Sequence, residues 1–221
     1  MINIAIDGPS GAGKSTVAKA IAKALGILYL DTGAMYRALA LKAFRLGVDP
    51  NDAAAVEAFL PDVTVDVRYV EGQMQLYLDG EEVSPYIREH HISKGASDIS
   101  RIPKVRLKLV ELQRAIAAKN DVVLDGRDIT SYVLPDARYK FFLTASPEVR
   151  AKRRYEELTA KGQDVSYEQI LKDVIERDYN DSHRAFAPLV QTEDSVYVDS
   201  SDMTIDEVVA TILGYVQKDA V

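Results

Sequence analysis

Apolar runs and helical periodicity alternate from the start of the chain. Residues 2–6 (INIAI) form a short β-branched run closed by glycine, which suits a strand buried on both faces. Apolar positions then recur at Val17, Ala18, Ile21, Ala24 and Leu25, a spacing that predicts a helix over 14–25 stopped by Gly26. Residues 27–30 read as a second short strand, and residues 34–46 as a helix ending at Gly47. Strand, helix, strand, helix in this order predicts an α/β fold, a parallel sheet with helices on its faces.

The pattern changes between residues 63 and 84. Val63, Val65, Val67 and Tyr69 alternate with polar residues, and so do Met74, Leu76 and Leu78. With Gly72 and Asp79-Gly80 as turns, this predicts a small antiparallel insert of two or three strands. A helical stretch follows over roughly 86–119, with Pro103 marking a break or a new first turn. Residues 122–125 (VVLD), 140–143 (KFFL) and 195–199 (SVYVD) are further strand candidates. Residues 147–161 and 166–182 read as charged helices joined at Gly162. The final helix spans 204–217, with Thr204 as N-cap and Glu207 completing a capping box.

Composition narrows the function classes. Hydrophobic residues make up 47% and charged residues 28%, as in soluble globular chains. The net charge of −7 argues against a nucleic-acid partner, which ordinarily demands a basic excess. No cysteine is present, so disulfides, thiolate catalysis and cysteine-based metal sites are excluded. His90, His91 and His183 lack the spacing of a zinc site. The N-terminus lacks the features of a secretory signal, and no window is long and apolar enough to span a membrane. The expectation is a cytoplasmic protein. A monomer is the default, since no helix shows a surplus apolar face.

The strongest chemical signal is G-x-x-x-x-G-K-S: Gly8-Pro9-Ser10-Gly11-Ala12-Gly13-Lys14-Ser15, followed by Thr16. It lies directly after one predicted strand and directly before a predicted helix. Glycines let the backbone wrap phosphate, and the helix N-terminus favours its charge. Lys14 is expected on the β- and γ-phosphates of ATP and Ser15 on Mg²⁺. A signalling GTPase would also carry N-K-x-D, which is absent.

Three other constellations stand at strand or helix ends. Asp125-Gly126-Arg127-Asp128 follows the strand candidate at 122–125, where α/β folds bind ligands. A cation two residues after the acid suits a phosphate group better than a bare metal ligand. Asp31-Thr32-Gly33-Ala34-Met35-Tyr36-Arg37 reads either as a helix cap with a solvated arginine or as a binding segment. Arg177, Asp181 and Arg184 fall at i, i+4 and i+7, on one helix face. They are either an ion-pair ladder or two guanidinium groups gripping phosphate beside a ribose-binding carboxylate. Arg150, Arg153 and Arg154 form a similar set, readable also as solvated charge.

GPSGAGKST, DTGAMYR, DGRD and RDYNDSHRAFAPL, in this order over about residues 2–217, resemble the bacterial cytidylate kinases. The insert at 63–84 is similar to the extra segment of that family's monophosphate domain. The resemblance implies transfer of the γ-phosphoryl of ATP to CMP or dCMP in pyrimidine nucleotide metabolism. It implies a P-loop NTPase-type fold with a helical lid, in a single unit over 1–221. Residues 1–31, 104–146 and 190–221 would form the core, 32–103 the monophosphate-binding region and 147–189 the lid.

Carried over by position, the resemblance places Thr32, Tyr36 and Arg37 by the acceptor nucleotide, with Arg37 on its phosphate. Ser97, Arg106 and Asp128 would hydrogen-bond cytosine. Arg127 would bind phosphate, Arg177 and Asp181 would hold the ribose, and Arg184 would contact phosphate near the transfer point. Lys14, Arg127, Arg154 and Arg184 are the expected catalytic groups. Arg150, Arg153 and Arg154 would lie on the lid, where closing arginines stabilise transition-state charge. Residues 129–132 (ITSY) and 185–187 (AFA) depart from the family pattern.

Overall fold

The computed structural model describes residues 1–218. In chain order the elements are β1 (Asn3–Asp7), α1 (Lys14–Leu25), β2 (Leu28–Asp31), α2 (Thr32–Arg45) and α3 (Ala53–Phe59). A 3₁₀ turn (Leu60–Asp62) leads to β3 (Val65–Val70), β4 (Gln73–Leu78), β5 (Glu81–Glu82), α4 (His90–Ile99) and α5 (Pro103–Ala117). Then come β6 (Val122–Gly126), a π-helical turn (Ile129–Val133), β7 (Tyr139–Thr144), α6 (Pro147–Ala160), α7 (Tyr167–His183), β8 (Val196–Asp199) and α8 (Ile205–Lys218). Two compact units divide the chain: residues 1–29 with 121–221, and residues 30–120.

The first unit is built on the large sheet, whose strand order is β2-β6-β1-β7-β8. β1 pairs in parallel with both β6 and β7, and β7 pairs in parallel with β8. Ile4 and Ile6 of β1, Phe141 and Leu143 of β7 and Val198 of β8 form one core with Val17 and Ile21 of α1 and Val208 and Ile212 of α8. Each such side chain removed from water contributes about 1.5–3 kcal/mol. Thr204 and Glu207 exchange the expected capping-box bonds: the Thr204 amide donates to Glu207 Oε2 at 2.8 Å and the Glu207 amide to Thr204 Oγ1 at 3.3 Å.

Register brings the chemistry to one sheet edge. Asp7, the last residue of β1, lies opposite Gly126 on one side and Phe142 on the other. The glycine loop and the Gly126-Arg127-Asp128 turn therefore leave the sheet side by side, at the carboxyl ends of parallel strands. Gly8 is required there: a Cβ would sit 1.9 Å from the Leu143 carbonyl oxygen, and its φ is +148°.

The second unit holds the insert. β3 pairs with β4 and β4 with β5, all antiparallel. Glu71-Gly72 and Asp79-Gly80 both have consecutive positive φ, the two-residue hairpin turn that the sequence signalled. Val67 faces Leu76, and Tyr69 faces Met74, on one side of the hairpin. The long helical stretch resolves into α4 and α5, with Pro103 at the start of the second. Helix α3 goes beyond the sequence reading. It has only one buried residue, Val56, so it shows no apolar stripe, although Asp52 caps it by accepting from the Ala55 amide.

Candidate active site

The glycine loop turns directly into α1, whose N-cap Gly13 has a left-handed backbone and no capping side chain. No acidic residue occupies the first turn of α1. That end of the helix is thus an amide-lined, electropositive cradle for an anion. Lys14 is 6% exposed and donates from Nζ to the Pro9 carbonyl at 2.7 Å. Burial, and next the Arg127 cation, lower its pKa to about 7, against the attraction of Asp125, Asp7 and Asp181.

Ser15 Oγ donates to Asp125 Oδ2 at 2.8 Å, and the Tyr29 hydroxyl donates to Asp125 Oδ1 at 2.8 Å. The strand-ending acid is thereby joined to the P-loop hydroxyl. The sequence showed an apolar strand ending in Asp125 but not its pairing with Ser15. Asp7 is the other carboxylate that local sequence did not single out. It is wholly buried and accepts from the amides of Ile129 (2.9 Å) and Thr130 (2.7 Å) and from Thr130 Oγ1 (2.7 Å). These bonds anchor the π-helical turn at Ile129–Val133. Burial raises the Asp7 pKa to about 6; the Thr130 bonds hold it down in part, and nearby Asp128 adds to the rise.

Next to this cradle lie the arginines. Arg127 Nε donates to Asp181 Oδ2 at 2.7 Å. Burial alone would weaken the Arg127 cation, but Asp181, Asp125 and Asp7 outweigh it and strengthen its hold on the proton. Burial alone would raise Asp181, but Arg127, Arg177 and Arg184 outweigh it, and its carboxyl stays below the usual range. Asp128 and Arg184 approach to 3.7 Å, both nearly enclosed.

One expectation needs correcting. α7 ends at His183, so Arg184 does not share a helix face with Arg177 and Asp181. Its backbone is extended, with φ −64° and ψ 143°, and its Nε donates to the Ala187 carbonyl at 2.6 Å. Chain reversal after the helix, rather than helical spacing, brings it to Asp128.

The three α6 arginines separate. Arg154 is partly exposed and pairs with Glu157 at 2.8 Å. Arg153 donates to the Ser200 carbonyl at 2.8 Å. Arg150 is 2% exposed and donates to the carbonyls of Ala145 and Ser10 and to both oxygens of Asp178.

In the second unit, Asp31 caps α2 by accepting from the Ala34 amide at 2.8 Å, and its other oxygen accepts from Arg37 Nη2 at 2.9 Å. The cap and the binding reading of that segment are therefore compatible. Arg106 is 1% exposed, lies over the Tyr36 ring at 5.3 Å and donates to the Ser100 carbonyl at 3.1 Å. The Ser97 carbonyl accepts from Ser100 Oγ at 2.8 Å, which links Ser97 and Arg106 through one serine. Thr32, at the start of α2, is buried.

The family model described as "Cytidylate kinase" matches residues 4–218. A protein named cytidylate kinase from Pelotomaculum thermopropionicum is 51% identical over 97% of this chain and 95% of its own. Another of the same name, from Caldicellulosiruptor bescii, is 47% identical over 96% and 94%. Among solved structures, an uncharacterized protein from Eubacterium ventriosum aligns with a TM-score of 0.55 at 16% identity, covering 98% of each chain. A gluconokinase from Sinorhizobium meliloti aligns at 0.50 and 15% identity, covering 96% of this chain and 90% of its own. At such identity the two structures share the fold alone.

Proposed function

The chain belongs to the cytidylate kinase family, and on that premise we infer that it moves the γ-phosphoryl of ATP to CMP or dCMP, yielding ADP with CDP or dCDP. The observation that carries this reading is the setting of the P-loop: Ser15 Oγ donates to Asp125 Oδ2 at 2.8 Å, and Arg127, two residues after Asp125, donates to Asp181 at 2.7 Å.

The roles follow the chemistry of phosphoryl transfer, which asks for in-line placement and for cations around a spreading negative charge. The amides of residues 8–16 and Lys14 hold the phosphates of ATP. Arg127 and Arg184 bear on the transferred phosphoryl group, with Arg154 of α6 as a further cation. Arg177 and Asp181 hold the acceptor ribose. Thr32, Tyr36 and Arg37 receive the acceptor, Arg37 on its phosphate. Ser97, Arg106 and Asp128 read cytosine: an arginine can donate to the O2/N3 edge, and a carboxylate can accept from the 4-amino group. No protein general base is required.

Magnesium fits this donor set. The Ser15 hydroxyl and Asp125 carboxylate, 2.8 Å apart at the loop, are hard oxygen ligands suited to Mg²⁺. Ser15 would hold the ion, with Asp125 behind it, and the ion would offset charge between the β- and γ-phosphates. The protein acts as a cytoplasmic monomer on small molecules, without a nucleic-acid partner. The net charge of −7 supports the last point. Among the described residues, no helix is long and apolar enough to cross a membrane.

Incubation with ATP, Mg²⁺ and CMP, followed by anion-exchange separation, is expected to give CDP and ADP in equal amounts. Release of ADP and inorganic phosphate with CMP intact would overturn the reading.

A further inference from the structure

Arg150 is the most fully engaged cation outside the site just described. Its Nε donates to the Ala145 carbonyl at 2.8 Å, at the end of β7, which fixes the stem of the side chain. Its Nη1 donates to the Ser10 carbonyl at 3.1 Å, on the outer side of the P-loop. The guanidinium fork then meets Asp178 of α7 through both carboxylate oxygens, at 2.9 and 2.5 Å. The loop passes close enough that a Cβ on Gly11 would come within 3.2 Å of Arg150 Cβ. A buried, planar, bidentate fork of this kind fixes orientation as well as charge.

A second, weaker link runs alongside. Arg153, three residues on from Arg150, donates to the Ser200 carbonyl; Ser200 Oγ donates to the Thr144 carbonyl at 2.9 Å and lies 3.4 Å from the Ala12 carbonyl. α6 thus holds the loop directly at the Ser10 carbonyl and approaches it through Ser200. Only the Arg150 link continues to α7, and α7 also carries Arg177 and Asp181. Asp178 and Asp181 lie three residues apart on that helix, one turned to the P-loop clamp and the other to Arg127.

We propose that Arg150 and Asp178 are positioning residues that couple the two nucleotide subsites. The acceptor nucleotide, by engaging Arg177 and Asp181, steadies α7. Asp178 transmits that to Arg150, and Arg150 holds the Ser10 carbonyl turned outward so that the loop amides face phosphate. The proposal rests on the acceptor role given above to Arg177 and Asp181. It assigns Arg150 a fixed post behind the P-loop instead of a place among closing arginines.

Coupling between ligands is reciprocal, and factors on the order of tenfold are common. The test measures the Kd of a non-hydrolysable ATP analogue with Mg²⁺, with and without saturating CMP, by calorimetry. The wild type is expected to bind the analogue about tenfold tighter with CMP present. Asp178→Asn keeps the shape but loses one charge and is expected to bring that factor to within about twofold of unity. Asp178→Glu is expected to restore part of it, and Arg150→Lys, which lacks the fork, is expected to behave like Asp178→Asn. A purely structural role would lower the melting temperature and leave the factor alone. An undiminished factor in both Asp178→Asn and Arg150→Lys, or no coupling in a wild type that converts CMP to CDP, overturns the proposal. Failure of the wild type to convert CMP at all would instead strike the functional reading beneath it.

Discussion

ATP binding should draw a proton from solvent onto Lys14. The Lys14 ammonium is buried beside Arg127, and its pKa is lowered to about 7. At pH 8 roughly nine in ten molecules would carry a neutral amine there; at pH 6 roughly one in ten would. Two or three phosphate charges at hydrogen-bond range restore the ammonium form, since a nearby opposite charge favours the charged state. Binding at pH 8 should therefore take up ~0.9 proton per ATP, and binding at pH 6 only ~0.1. The affinity should weaken about tenfold from pH 6 to pH 8 by the same linkage. Calorimetry of Mg-ATP binding in two buffers of different ionisation enthalpy reads the uptake directly. Lys14→Arg, which stays charged, should abolish it. Absence of uptake at pH 8, or equal uptake in Lys14→Arg, would refute the reasoning.

Three further outcomes are expected. Asp7 binds its proton more tightly folded than unfolded, because its pKa rises from 3.8 to about 6. Its ionisation should therefore cost ~3 kcal/mol of stability as pH climbs between those values, with no further loss above. Urea melts of Asp7→Asn should lack that decline relative to wild type, and parallel stability curves would contradict it. Gly8→Ala places a Cβ 1.9 Å from the Leu143 carbonyl, so it should lower stability by at least ~3 kcal/mol or prevent folding. A thermal midpoint unchanged from wild type would show that the loop accommodates it. Arg106→Met keeps volume in a buried position while removing the donors, so it should raise KM for CMP at least tenfold with little change for ATP. Equal losses for both nucleotides would exclude a cytosine-edge role.

Much of the fold was legible because its elements obey local rules. Ile4, Ile6 and Leu124 sit in apolar runs, Gly26 and Gly47 close helices, and Asp79-Gly80 turns a hairpin. α3 was not legible because one buried Val56 makes no periodic stripe. The π-helical turn after Asp128 depends on Asp7, more than a hundred residues earlier. The site shows the same division. Lys14 and Ser15 stand in a motif whose chemistry is local, in one loop and one helix start. Their carboxylate environment is not local: Ser15 and Asp125 are 110 residues apart, Arg127 and Asp181 54, and Arg150 and Asp178 28. Such pairs are set by strand order and by the α6–α7 hairpin, and no spacing rule announces them. Arg184 shows the reverse hazard: a helical spacing ran on in sequence after the helix itself had ended at His183.

The central claim is tested most directly by ADP release under matched conditions with CMP, dCMP, UMP and AMP as competing acceptors. CMP or dCMP should have the highest kcat/KM. UMP or AMP clearly outrunning both would contradict it.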